Sequence, residues 1–158
     1  KQMTKKKQLI ILLGVLACIA VAAVFILKQK NMADPAFSPD LDPNASVQTE
    51  QQEEKPEGIR IPGYPRITIA ADTADVTMNL KNPEGNPCYF TFEIVLKEDN
   101  EILYTSKMVE PGKAITDVTL ARTLEKGEYP AVIRITTNSL EDGSVMNGAN
   151  VETTLVAE

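Results

Sequence analysis

The chain has 158 residues, a net charge of −6, two cysteines, no histidine and no tryptophan. Without histidine, Ser-His-Asp and Cys-His nucleophilic chemistry and the usual zinc sites are excluded. An acidic balance excludes phosphate-backbone binding, which requires a positive surface.

Residues 1–8 carry Lys1, Lys5, Lys6 and Lys7 and read as a basic stub. From Leu9 to Leu27 run nineteen residues with no charge and no polar group except the Cys18 thiol. As a helix they measure roughly 28 Å, close to the hydrocarbon thickness of a bilayer. Three readings compete: a cleaved signal peptide, a lipoprotein anchor at Cys18, and a helix that stays in the membrane. Val24-Phe25-Ile26-Leu27 follow the small residues Ala20, Ala22 and Ala23, whereas a cleavage site leads into a polar start. Val15-Leu16-Ala17-Cys18 fits a lipidation motif at Val15 and Ala17 but not at the bulky Leu16, and nine apolar residues follow the cysteine. The sequence therefore favours a transmembrane helix over 9–27.

Four lysines precede this segment, and Lys28 and Lys30 follow it. The bias places the N-terminus in the cytoplasm and the bulk of the chain outside a plasma membrane crossed once. Membrane lipid is then the first expected partner. Gly14, Cys18 and Ala22 form a small-residue ridge on which a second copy of the helix can pack.

Charge is unevenly placed: +6 over residues 1–30, −6 over 31–58 and −6 over 59–158. Residues 28–58 are rich in Asp, Glu, Pro, Ser and Gln and read as a flexible acidic linker. Residues 59–158 are enough for one core. Only Cys88 lies there, so no intrachain disulfide forms within it, and its neighbours Tyr89 and Phe90 suggest a packed thiol.

From Ile59 the apolar pattern has period two. Ile67 and Ile69 alternate with polar neighbours, as do Val76, Met78 and Leu80. The same holds for Phe90, Phe92, Ile94 and Leu96, for Val118 and Leu120, for Ala131, Ile133 and Ile135, and for Val151, Thr153 and Leu155. Half-buried strands require this alternation. Ile102, Tyr104 and Met108 supply one further strand. Breakers such as Asn82–Pro87, Glu110–Lys113 and Asp142-Gly143 separate them. About seven strands in 100 residues predict an all-β, antiparallel sandwich.

Leu124-Glu125-Lys126-Gly127-Glu128-Tyr129 resembles the Leu-x-x-Gly-x-Tyr entry to the penultimate strand of immunoglobulin-like and fibronectin-type modules. Met108-Val109-Glu110-Pro111-Gly112 resembles a turn of bacterial Ig-like surface domains. The resemblance implies an Ig-like fold with a structural corner at Gly127 and Tyr129, whose hydroxyl bonds back to nearby backbone. The whole layout resembles small, N-terminally anchored surface proteins of Gram-positive bacteria. The antibody hallmarks, a tryptophan and an inter-sheet cysteine pair, are missing.

Other chemistry has weak footing. Glu98, Asp99 and Glu101 cluster in one loop and Asp72 and Asp75 in another, but neither has calcium-loop spacing. An internal Lys–Asn isopeptide bond, as in pilin-like modules, would draw on Lys81, Asn150 and Glu93, yet Glu93 falls on the face opposite Phe92 and Ile94. The expectation is a non-catalytic interaction or assembly domain that binds an unknown protein partner, with no cofactor, metal or nucleic acid. Tyr64, in Ile61-Pro62-Gly63-Tyr64-Pro65, is the first contact candidate, because tyrosine is favoured at interfaces. The alternatives are a subunit of a filament or envelope-spanning secretion or conjugation machine, and a lipoprotein or ligand-binding module.

Overall fold

The computed structural model describes residues 37–48 and 58–158. The expected helix over Leu9–Leu27, the ridge Gly14–Cys18–Ala22 and lipidation at Cys18 lie outside these residues. No helix among the described residues is long and apolar enough to cross a membrane. Eight strands follow one another: β1 (Ala45–Val47), β2 (Ile67–Ile69), β3 (Asp75–Lys81), β4 (Cys88–Leu96), β5 (Ile102–Thr105), β6 (Lys113–Thr119), β7 (Gly127–Ser139) and β8 (Val145–Ala157).

Local sequence explains the long strands. β4 reads CYFTFEIVL, aromatic and β-branched residues that fit a pleated surface. Its Cys88, Phe90, Phe92 and Ile94 are fully buried, whereas Tyr89, Thr91 and Glu93 between them are half-buried. β3 buries Val76, Met78 and Leu80, and β7 buries Ala131, Ile133, Ile135 and Thr137. β5 keeps half of the phase read in the sequence: Tyr104 packs against the core opposite Ile94, but Leu103 is buried and Ile102 is 46% exposed. A register shift between Ile94 and Val95, opposite β5, turns Leu103 inward. Met108 lies beyond β5, in an isolated bridge to Leu41.

The strands form two sheets, ordered β1-β6-β3 and β2-β8-β7-β4-β5. Every pairing of named strands is antiparallel except β2 with β8, which is parallel. The fold is therefore all-β, as expected, but not wholly antiparallel. Both sheets contribute to one core, with Leu80, Ile115 and Val118 from the smaller and Phe90, Phe92, Ile133 and Leu155 from the larger. The Phe90 and Phe92 rings meet edge to face at 5.9 Å. Each fully buried side chain of this size contributes about 1.5–3 kcal/mol.

A turn and a bulge fix the β7–β8 hairpin. Asp142 Oδ1 accepts from the Ser144 amide at 3.0 Å and from its hydroxyl at 2.7 Å, which holds the carboxyl below its usual range. Further along, Ile135 pairs with Ala149 and Thr137 with Met146, so Asn147 and Gly148 together oppose Thr136 in a bulge. A Cβ on Gly148 would stand 2.4 Å from the Ile135 carbonyl oxygen, so only glycine fits this close approach.

A buried polar knot closes one end of the core. Asn82, fully buried, donates through its amide to the carbonyls of Cys88 and Val109, each at 2.9 Å. Its side-chain oxygen accepts from Asn86 at 2.8 Å. Asn86 in turn clamps the backbone of Arg60, accepting from its N–H at 2.8 Å and donating to its carbonyl at 2.9 Å. One network thus ties the chain entry, the β3–β4 turn and the turn before β6.

The structure differs from the sequence reading over residues 37–48, which fall within the expected 28–58 linker. Ala45–Val47 pair with Lys113–Ile115 of β6, and the Gln48 N–H donates to Gly112 O at 2.9 Å. Asp42 is buried and accepts from the backbone N–H groups of Lys107 and Asn44, each at 2.9 Å. The Phe37 ring packs beside Tyr89, with centroids 6.0 Å apart. Pro, Asp and Asn hide this strand from a hydrophobic pattern, because backbone hydrogen bonds rather than buried side chains hold it.

Candidate functional site

The outward face of the five-stranded sheet is the broadest regular surface among the described strands. Residues directly opposite in an antiparallel ladder share a face, so register defines its rows. One row runs Thr105, Glu93, Arg134 and Asn150 across β5, β4, β7 and β8. The Arg134 guanidinium donates to the Glu93 carboxylate at 2.7 Å, near the middle of the sheet. The next row runs Ile102, Val95, Val132 and Glu152. Ile102 is half-open to solvent, while Val95 is buried without belonging to the main core. On the other side of the ion pair, Thr91 faces Thr136.

Where β7 and β8 pass Lys97, a shallow groove of about 270 Å³ is lined by Pro65, Lys97, Pro130, Glu152, Thr153 and Thr154. Lys97 Nζ donates to Glu152 Oε1 at 2.8 Å, and this contact lowers the Glu152 carboxyl pKa. The charges of this face are thus paired internally. What the face offers is a flat, neutral mix of aliphatic and hydroxyl groups around an ion pair.

Tyr64 does not lie on an accessible surface. It is 9% exposed and belongs to the core. Its hydroxyl accepts from the Lys81 N–H at 2.9 Å, and burial pushes its pKa up to about 12. Its ring fills the space at the end of the sheets, which removes it as a partner contact. Tyr129 is half-buried, and its hydroxyl donates to the Glu125 carbonyl at 2.9 Å. Gly127 lies against the same ring, since a Cβ there would sit 3.6 Å from Tyr129 Cε2.

The remaining candidates are spread apart. Lys81 belongs to the smaller sheet, Asn150 is exposed on the larger, and Glu93 is engaged by Arg134. Asp99 caps the Glu101 amide at 3.0 Å and Glu101 binds Arg122, while Asp75 accepts from the Thr119 hydroxyl at 2.7 Å. No group of three or more metal-ligating side chains occurs among the described residues. Cys88 is fully buried, and desolvation raises its thiol pKa, which disfavours the reactive thiolate.

Sequence reasoning passed over Arg134, Val132 and Ile102. The available signal was the outward phase of Glu93 and Arg134 on two alternating strands; their pairing needed the register.

No protein-family model matches the chain, no curated protein matches it in sequence, and no solved structure matches it.

Proposed function

We propose that this is a membrane-tethered, extracellular interaction protein. Its Ig-like sandwich binds a protein partner through the outward face of the five-stranded sheet, with neither catalysis nor a cofactor. The Ig-like reading is supported by strand order: β8-β7-β4-β5 correspond to the G, F, C and C′ strands of such domains, and β3 and β6 to B and E. The Tyr129 bond to Glu125 matches the corner of those domains in kind. The tether reading is supported by the apolar run Leu9–Leu27 and its lysine-rich flank.

The observation that carries the binding reading is the pair of accessible aliphatics Ile102 and Val132, on either side of the buried Val95 and beside the Glu93–Arg134 pair. An exposed ion pair contributes only about 0–1 kcal/mol to stability. Folding therefore has little need of it, and its place on an open sheet face suits recognition. Aliphatic groups ringed by satisfied polar ones match the core-and-rim pattern of protein interfaces.

A photo-reactive residue tests this when placed at Val132 in whole cells, with Thr77 on the outer face of β3 as the control. A discrete protein adduct at 132, absent at 77 and lost with Arg134→Glu, supports the reading. Equal adducts at both positions, or none at 132, overturn it.

A further inference from the structure

We propose that the edge of β6 is a strand-exchange site, which takes residues 40–48 of a second copy of this chain in place of its own. The inference rests on the tethered reading only for the crowding that favours exchange.

The docked segment is held by interchangeable contacts. The Asp42 N–H donates to Met108 O at 2.8 Å, the Met108 N–H to Asp40 O at 3.0 Å, and the Gln48 N–H to Gly112 O at 2.9 Å. The ladder of β1 on β6 continues this backbone pairing. Side chains add little: Leu41 is 39% and Val47 74% exposed, and only Ala45 of β1 packs against the core. A sheet edge bonded mainly through backbone accepts any extended strand of suitable register.

Register is what selects this chain's own sequence. The buried Asp42 carboxylate receives the Lys107 N–H, and Lys107 Nζ donates to Asp40 at 2.8 Å. A strand with acids two residues apart, followed by a short polar segment, reproduces both contacts. Residues 40–48 of another copy do so by identity.

Both ends of the 49–57 interval lie by the same turn. Gln48 bonds Gly112, the Gly112 N–H donates to Asn82 O at 2.8 Å, and Asn82 binds the Asn86 amide that holds the Arg60 backbone. Closure within one chain is therefore inexpensive, and the isolated molecule keeps its own strand. Nine residues extend to at most about 30 Å, which sets the reach of an exchanged strand. Mutual exchange preserves every contact in a two-fold pair, so local concentration decides between the forms.

Two full-length variants, Val47→Cys and Lys113→Cys, test this when reconstituted together in lipid bilayers and oxidised. These positions face each other in the register, so a 47-to-113 disulfide in the mixture arises only between chains. We expect that link, identified by peptide mass, to rise in proportion to the protein-to-lipid ratio. Adding Asp42→Ala to the Val47→Cys chain should lower it about five-fold, as loss of a docking hydrogen bond predicts. The double variant on one chain reports the register itself. An internal link there with no interchain link at any density overturns the proposal. So does an interchain link indifferent to Asp42→Ala, which marks random collision, and so does a double variant that forms no link. The Val132 photo-adduct is independent of these outcomes, so failure of one reading is distinguishable from failure of the other.

Discussion

Two segments precede the long strands, and they are attached by different means. Residues 58–66 enter through side chains: Tyr64 is in the core, Ile59 and Ile61 pack against it, and the Asn86 amide brackets Arg60. Residues 37–48 lie on the outside and are joined mainly by backbone pairing, with the Asp42 carboxylate, the Lys107–Asp40 pair and the Phe37–Tyr89 ring contact as side-chain additions. Apolar burial is non-directional and specific to shape, so the first attachment belongs to the folding unit. Backbone pairing is directional but nearly blind to sequence, so the second can be lost or exchanged while the sheets persist. Composition alone ranked both segments poorly, because Pro39 and Pro43 mark the outer one as loop and Pro62, Gly63 and Pro65 the inner one.

The contrast breaks most visibly at Asn82. Asn82→Ala removes two bonds to buried carbonyls and the acceptor for Asn86. The expected loss is about 3 kcal/mol or more, read from the urea midpoint. A loss below about 1 kcal/mol would mean that the knot does not hold the entry segment.

Alkaline pH probes the same segment through Tyr64, whose pKa is pushed up to about 12 by burial. The unfolded phenol titrates near 10, so between about pH 10 and 12 the unfolded state holds fewer protons than the folded one. Stability is complete below pH 10 and falls across that window, by up to about 1.4 kcal/mol per pH unit. Tyr104, raised to about 12 by burial and then by Asp42, acts in the same direction. Tyr64→Phe should flatten the slope between pH 10 and 11; an unchanged slope would place the effect elsewhere.

Asp42→Ala should act on the other segment alone. Global stability is expected to fall by about 1 kcal/mol or less, while amide exchange at residues 42–48 rises several-fold. Smallest of all, Arg134→Ala should shift stability by under about 1 kcal/mol, since the pair is partly solvated. A larger shift would make Arg134 a structural residue rather than a contact.

Legibility in the sequence followed the source of the holding energy. Strands β3, β4, β6, β7 and β8 were visible because one face of each enters the core, and burial imposes alternation. β1 was invisible, because Asp42-Pro43-Asn44-Ala45-Ser46-Val47 buries almost nothing apolar. The parallel match of β2 to β8 joins residues more than eighty positions apart, which no local pattern encodes. Asn82 and Asn86 were legible as turn formers around Pro83-Glu84-Gly85, but their burial was not, since asparagine is usually exposed. Tyr64 misled for the converse reason: proline and glycine around it signalled an open loop, while its ring had a cavity to fill. On the candidate face, each outward residue was readable strand by strand. The Glu93–Arg134 contact waited on register.

Hydrogen exchange on the full-length chain tests the contrast most directly. The amides of Asp42 and Gln48, bonded to Met108 and Gly112, report the outer segment; that of Arg60 reports the inner one, and those of Asn82 and Phe90 report the sheets to which it is tied. If the outer segment detaches while the sheets stay closed, Asp42 and Gln48 exchange at least about a hundred-fold faster than the other three. Equal protection across all five amides would show one cooperative unit and contradict the account.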